Sequence, residues 1–292
     1  MSPARLAPAK VNLFLHVGAT QPDGYHPVAS WIAFADVGDR LSLEPAAAWS
    51  FEAHGPFADD IGAGENLVER AAARLFERAG AAPPAARLAL EKRLPVAAGL
   101  GGGSSDAGAA LRLLNATAPR PLPESALMEI AAELGADGPA CLHGEPVLAR
   151  GRGDVLGPAP RTPPLPAVLV NPRRPSPTGD VYRAYDVGRA ARADMPDLPA
   201  SFSGVWEVVA ALQPLRNDLE APASRLEPEI AEVLAWLGAQ LEVLLARMSG
   251  SGATCFALCQ TRDAAARLAA RAARDRPAWW AVDCNVGSFT KP

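Results

Sequence analysis

The 292-residue chain carries 28 basic and 32 acidic side chains, and its net charge of −4 argues against a nucleic-acid partner held by charge. Hydrophobic residues make up 49% of the chain, enough for a core in one large or two ordinary domains, and no apolar run reaches the length of a membrane span. The N-terminal Met1-Ser-Pro-Ala-Arg has no apolar signal core, so a cytoplasmic location is expected, and Cys141, Cys255, Cys259 and Cys284 lack zinc-ligand spacing and read as buried thiols.

In chain order, residues 10–18 read as a strand, with Leu13, Leu15 and Val17 on one face and Asn12, Phe14 and His16 on the other. Residues 22–27 form a turn by their Pro, Asp and Gly content, and 30–35 and 39–44 read as two strands joined around Gly38. The spacing of Leu67, Ala71, Leu75 and Phe76 predicts an amphipathic helix over 66–80, closed by Gly80 and kept from continuing by Pro83-Pro84. A strand over 87–93 then feeds the chain's most unusual stretch, followed by a helix to Asn115 and another over 124–134.

The Gly- and Pro-rich segment 151–166 reads as a linker, and order resumes with a strand over 167–170. Residues 183–199 read as loop or short helix, 226–239 as helix, and 241–248 as a strand or the end of a second helix. Ser249-Gly-Ser-Gly-Ala253 is a second glycine turn, leading to a strand over 254–259, a helix over 261–275 and a last strand over 279–286. This alternation suits an α+β layer with one helical face.

The unusual stretch is Pro95-Val96-Ala97-Ala98-Gly99-Leu100-Gly101-Gly102-Gly103-Ser104-Ser105, followed by Asp106 and an Ala/Leu-rich helix. Glycines let consecutive N–H groups turn inward, and a helix starting at the serines adds unpaired N–H groups and a positive dipole end. That is a receptacle for an anion, most plausibly phosphate; a tight strand-to-helix turn is the simpler alternative. No lysine follows the glycines, the dinucleotide pattern fails at Ser104, and HRD and DFG triplets are absent. A cation must therefore come from elsewhere. Lys10, at the start of an apolar strand, is the candidate, although an exposed strand-end lysine fits the spacing equally well. Asp137, in a constrained Gly/Pro setting after a helix, reads either as an aimed carboxylate or as an ordinary turn or capping residue.

Taken together, Pro8-Ala-Lys-Val-Asn-Leu13, Asp23-Gly-Tyr-His26, Gly99-Leu-Gly-Gly-Gly-Ser-Ser105, Leu134-Gly-Ala-Asp137 and Met248-Ser-Gly-Ser-Gly-Ala253 closely resemble the 4-diphosphocytidyl-2-C-methyl-D-erythritol kinases. These are a branch of the GHMP small-molecule kinases, and the motifs run in matching order over nearly the whole chain. The resemblance implies a two-domain GHMP-kinase fold: an N-terminal ribosomal-protein-S5-domain-2-like part over 1–158 and a C-terminal ferredoxin-like α/β layer over 159–292. It implies ATP-dependent phosphorylation of a cytidine-diphosphate-linked methylerythritol in the non-mevalonate isoprenoid route, with Mg²⁺ accompanying ATP and no protein-built metal site. Residues Pro95 to Ser105 would cradle the ATP phosphates, with Asn66 on the adenine side unless it only caps a helix. Asp137 would take the proton of the attacking hydroxyl and Lys10 would keep it ionised. Asn12, Tyr25, His26 and, opposite Tyr25, Tyr182 would hold the cytidine substrate. Gly138 stands where the family usually has a small β-branched residue, which predicts a looser backbone after Asp137. Asp106 is expected to serve as a favourable acid in its helix's first turn. Another GHMP kinase, or a silent nucleotide-binding relative on the same fold, is the competing reading.

Overall fold

The computed structural model describes residues 3–62, 66–188 and 191–287. Its chain divides into two compact units that interleave along the sequence: one draws on 1–9, 37–96 and 101–144, the other on 10–36, 97–100 and 145–292. Neither unit is a single segment, because the first two strands and the glycine stretch each contribute to both.

The first unit takes the start of β1 (Ala4–Val17), the later part of β2 (Val28–Pro45), β3 (Ser50–His54) and β4 (Ala86–Glu91). Strand β4 pairs antiparallel with β2, Leu41 against Leu90 and Leu43 against Leu88, and parallel with β3. Helices α1 (Leu67–Ala79), α2 (Gly102–Thr117), α3 (Glu124–Leu134) and the short α4 (Gly138–His143) complete it. Leu41, Leu43, Leu88 and Leu90 of the strands share a core with Val68, Leu75, Leu111, Leu114, Leu127 and Ile130 of the helices. The period-2 strand pattern and the helical stripe of α1 are thus two sides of one buried layer. Asn66 caps α1, its Oδ1 accepting from Val68 N–H at 2.8 Å, and Gly80 closes it in the left-handed region at φ 59°. The two strands expected over 30–35 and 39–44 are one, β2. Gly38 lies within it because a Cβ there would stand 2.1 Å from the Ala7 carbonyl oxygen, so the glycine serves close strand packing and not a turn.

The second unit contains the remainder of β1 and β2, then β5 (Val147–Arg150), β6 (Val155–Pro158), β7 (Leu165–Asn171), α5 (Thr178–Asp186), α6 (Val205–Leu212), α7 (Glu220–Leu226), α8 (Pro228–Gly238), β8 (Val243–Met248), β9 (Cys255–Cys259), α9 (Arg262–Asp275) and β10 (Trp280–Gly287). From the early part of β2 the sheet runs β2-β10-β7-β9-β8, antiparallel at every step. Val168 and Val170 of β7, Ala257 of β9, Leu268 of α9 and Ile230 and Val233 of α8 lie in its core. The expected linker over 151–166 holds strand β6, which returns antiparallel on β5 through the turn at Gly151 and Gly153. Glycine and proline there mark a hairpin. Residues 243–248 are strand, and of the stretch 183–199, expected as loop or short helix, residues 183–186 are the end of α5. All four cysteines are buried and free, as their spacing implied. Within this unit the buried Arg247 of β8 donates to the carbonyls of Leu13, Leu212 and Leu215, which ties β1 in place.

Candidate active site

The glycine stretch alternates conformations that side chains resist: Ala97 at φ 50°, Gly99 at 74° and Gly101 at 60°. In the second unit its middle part is set backbone against backbone on the SGSGA turn. A Cβ on Gly99 would fall 2.3 Å from the Ser249 carbonyl oxygen, Ser249 Oγ donates to Gly99 O at 3.0 Å, and Thr254 N–H donates to Ala98 O at 3.1 Å. Asn217 donates to the carbonyls of Met248 and Gly250 and locks that turn from behind. The second glycine motif therefore buttresses the first. Lys10 is 5% exposed, and its backbone N–H donates to Leu100 O at 2.8 Å, so it is sewn directly to the stretch and is no exposed strand end.

In the first unit the stretch ends in α2, which begins at Gly102, two residues before the expected start at the serines. Gly101 is its N-cap without a side-chain cap, and the first intrahelical bond runs from Ser105 N–H to Gly101 O. The N–H groups of Gly102, Gly103 and Ser104 thus precede the helical ladder, with Gly103 exposed and Gly102 and Ser104 half-buried. Ser105 is buried, and its Oγ has no hydrogen-bond partner among the described residues. Positive dipole, unpaired N–H groups and absent side chains coincide at one place.

Asp137 is half-buried at the N-terminus of α4, and Cys141 N–H donates to its carbonyl at 3.0 Å. Two close backbone approaches fix α4. Gly108 of α2 faces the Cys141 carbonyl and Leu142 backbone, each 3.0 Å from where its Cβ would be. A Cβ on Gly138 would lie 1.9 Å from Ala131 O of α3. Gly138 is buried in a contact that leaves no room for a side chain, so the glycine expected to loosen the backbone after Asp137 also serves the close approach of α4 to α3. The role expected for Asp106 is corrected. It is the fifth residue of α2, outside the first turn, 2% exposed and ion-paired with Lys92 at 2.7 Å.

The residues expected to hold a cytidine substrate all lie in the second unit. Tyr25, half exposed, follows a turn in which Asp23 Oδ1 accepts its N–H at 3.0 Å; the Arg152 guanidinium sits 4.0 Å over its ring and pairs with Asp23 at 2.5 Å. His26 is held otherwise. Its Nε2 lies 2.7 Å from Asp186 Oδ1, which also accepts from Thr20, and its ring packs on Tyr182 at 4.8 Å and on Tyr185 at 5.8 Å. The hydrogen bond from His26 holds the Asp186 carboxyl below its usual range. Asn12 donates to Ser30 Oγ at 2.8 Å, while its buried Oδ1 has no hydrogen-bond partner among the described residues. Arg152, Asp186, Asp39 and Lys92 escaped the sequence reading: each looks like a surface charge until the fold supplies its partner. Among the described residues no group of three or more His, Cys, Asp or Glu could hold a metal, and no helix is long and apolar enough to cross a membrane.

Comparison with known proteins follows the same division. Residues 66–145 match the GHMP kinases N terminal domain and 200–277 the GHMP kinases C terminal. A 4-diphosphocytidyl-2-C-methyl-D-erythritol kinase of Caulobacter vibrioides (strain NA1000 / CB15N) is 56% identical, covering 96% of this chain and 98% of its own length; one from Hyphomonas neptunium is 48% identical over 97% and 96%. The crystal structure of a 4-(cytidine 5'-diphospho)-2C-methyl-D-erythritol kinase, 38% identical, superposes with a TM-score of 0.78 over 98% of this chain and 100% of that one. The two-domain GHMP fold and the sequence relationship agree, and the chain belongs to the 4-diphosphocytidyl-2-C-methyl-D-erythritol kinase family.

Proposed function

We propose that this chain transfers the γ-phosphoryl group of ATP to the 2-hydroxyl of 4-diphosphocytidyl-2-C-methyl-D-erythritol, giving the 2-phosphate and ADP. The reaction is a step in the methylerythritol phosphate route to isoprenoid precursors, carried out in the cytoplasm. One observation carries the reading: α2 starts on three glycines with its first N–H groups unpaired, in a chain of this kinase family. Phosphoryl transfer needs positioning and charge neutralisation more than covalent help. The backbone from Pro95 to Ser105 binds the ATP phosphates, and Asn66, its Oδ1 engaged as a helix cap, lies on the adenine side.

Asp137 accepts the proton of the attacking hydroxyl. The tight seat of Gly138 supports that role, because a base must be aimed before its basicity matters. Lys10 steadies the substrate oxygen as the proton leaves, and its bond to Leu100 supports its place beside the loop. Magnesium would accompany ATP and neutralise part of its phosphate charge. On the acceptor side Tyr25 stacks on the cytosine, His26 bonds its edge, Tyr182 adds an aromatic face and Asn12 offers its unpartnered Oδ1 to the polyol.

The test is an ADP-release assay in which the purified protein meets ATP with the cytidine-linked substrate, mevalonate, homoserine or galactose. Release with the first alone, and a new phosphomonoester resonance in its ³¹P spectrum, is the expected result. Turnover of another acceptor, or ATP binding with no turnover, would replace the reading by another GHMP kinase or a silent relative.

A further inference from the structure

The mechanism leaves one buried ionic group unused. Lys92, just beyond β4, is 3% exposed; its Nζ donates to Asp39 Oδ2 at 2.5 Å and to Asp106 Oδ2 at 2.7 Å, and both acids are at most 2% exposed. One acid would neutralise a buried ammonium, so a second leaves an uncompensated charge away from water. A proton resolves the excess. Burial raises the Asp106 carboxyl to about 8, Lys92 pulling it down and Asp39 pushing it up again, and these two are the charged groups that face it. Lys92 itself is opposed by burial but held above its ordinary value by its contacts with Asp106 and Asp39.

The placement of the three residues matters more than their number. Asp39 Oδ1 accepts the N–H groups of Arg93 at 2.6 Å and Leu94 at 2.8 Å, where the chain leaves β4 for the glycine stretch. Asp106 sits on α2, where the chain emerges from it. A Cβ on Gly102 would stand 3.1 Å from Lys92 Nζ and 3.7 Å from Asp39 Oδ2, so the ammonium lies directly against the first turn of α2. The other oxygen of Asp106, Oδ1, is buried with no hydrogen-bond partner among the described residues, so Asp106 is bound into the structure through its contacts with Lys92 and Asp39.

The geometry points to Lys92 as a positioning residue for the nucleotide phosphates: held by Asp39 and Asp106, it fixes the incoming and outgoing ends of the glycine loop and so aims the N–H groups of α2. This rests on the loop being the phosphate cradle. The ammonium acts through the loop, not on the nucleotide, because its own bonds go to the two acids.

The test uses Asp106→Ala, which removes the tie on α2 but leaves the Asp39–Lys92 pair, and Asp106→Asn, which keeps an oxygen for Lys92. ATP and the cytidine-linked substrate are varied separately, with folding checked by circular dichroism and Tm. Asp106→Ala is expected to raise KM for ATP about tenfold and to move KM for the cytidine substrate less than about twofold. Asp106→Asn restores KM for ATP to within about threefold of wild type. In wild type KM for ATP climbs between pH 7 and pH 9 as Asp106 gives up its proton; in Asp106→Asn it stays level. An unmoved ATP KM in Asp106→Ala, an equal rise in both KM values, or the same pH profile in wild type and Asp106→Asn overturns the assignment. If Asp106→Ala fails to fold, the pH comparison decides alone. Gly103→Val, at the exposed start of α2, separates this from the underlying reading. If that variant leaves KM for ATP unchanged, the loop is not the cradle. If it raises KM for ATP while the Asp106 variants stay flat, only the role of Lys92 is lost.

Discussion

The buried charges beneath α2 and the exposed charges around Tyr25 solve opposite problems with similar residues. Asp39, Lys92 and Asp106 are at most 3% exposed; Asp39 holds the backbone that enters the glycine stretch, and Lys92 holds Asp106 on the helix that leaves it. Asp23, Tyr25 and Arg152 are about half exposed and hold one ring in a surface turn. Away from water each charge is strongly coupled to its partners, and removing one leaves the others stranded. In water the same contacts are screened and individually weak, so they adjust a side chain without determining the fold. The first regime suits the rigid cradle proposed for phosphate, and the second suits the platform proposed for a nucleobase.

The comparison breaks most visibly at Lys92. Lys92→Met leaves the buried Asp39 carboxylate without its counter-charge and Asp106 without its donor, and is expected to cost about 3–5 kcal/mol in urea unfolding, as for other buried pairs deprived of one partner. A loss below about 1 kcal/mol would place the group in the weak surface regime. The pH dependence of stability sharpens the same point. The Asp106 carboxyl is raised from 3.8 to about 8 in the folded protein, so between those values the folded state keeps a proton that the unfolded chain releases. Its contribution therefore falls as pH rises from about 4 to about 8 and is level above that. Asp106→Asn should remove this slope, measured as the difference in unfolding midpoint between the two proteins across that range.

On the acceptor side, Tyr25→Ala should raise KM for the cytidine substrate by the worth of a base–aromatic stack, about 1–3 kcal/mol, with KM for ATP nearly unchanged. Equal increases would remove the stacking role. Arg152→Ala comes last. Losing an exposed cation–π contact costs about 0.5–1 kcal/mol, a few-fold in the same KM. A lowered KM would mean that the guanidinium occupies the face the base needs.

What the sequence disclosed follows from how local each signal is. The stripe and caps of α1, the glycine stretch and the turn around Tyr25 depend on neighbours a few residues away, and all were legible. Gly38 was misread because its partner, the backbone of Ala7, lies outside any local window, and Gly138 because the nearby Ala131 carbonyl meets it only once α3 and α4 fold against each other. Asp106 was misread for the same reason as Gly38: Lys92 is 14 residues distant and Asp39 farther still. The 151–166 segment was misread because glycine and proline serve hairpins and linkers alike. Lys10 and Asp137 are proposed together only through the family's motifs, since neither residue alone distinguishes an active site from a strand end or a turn.

The most direct test of the account is Asp137→Asn, followed by ATP binding in a calorimeter and ADP release with the cytidine-linked substrate. The mutant should bind ATP within about threefold of wild type while turnover falls by about 10²–10⁴, the usual worth of a positioned general base. Turnover close to wild type with ATP binding intact would contradict it.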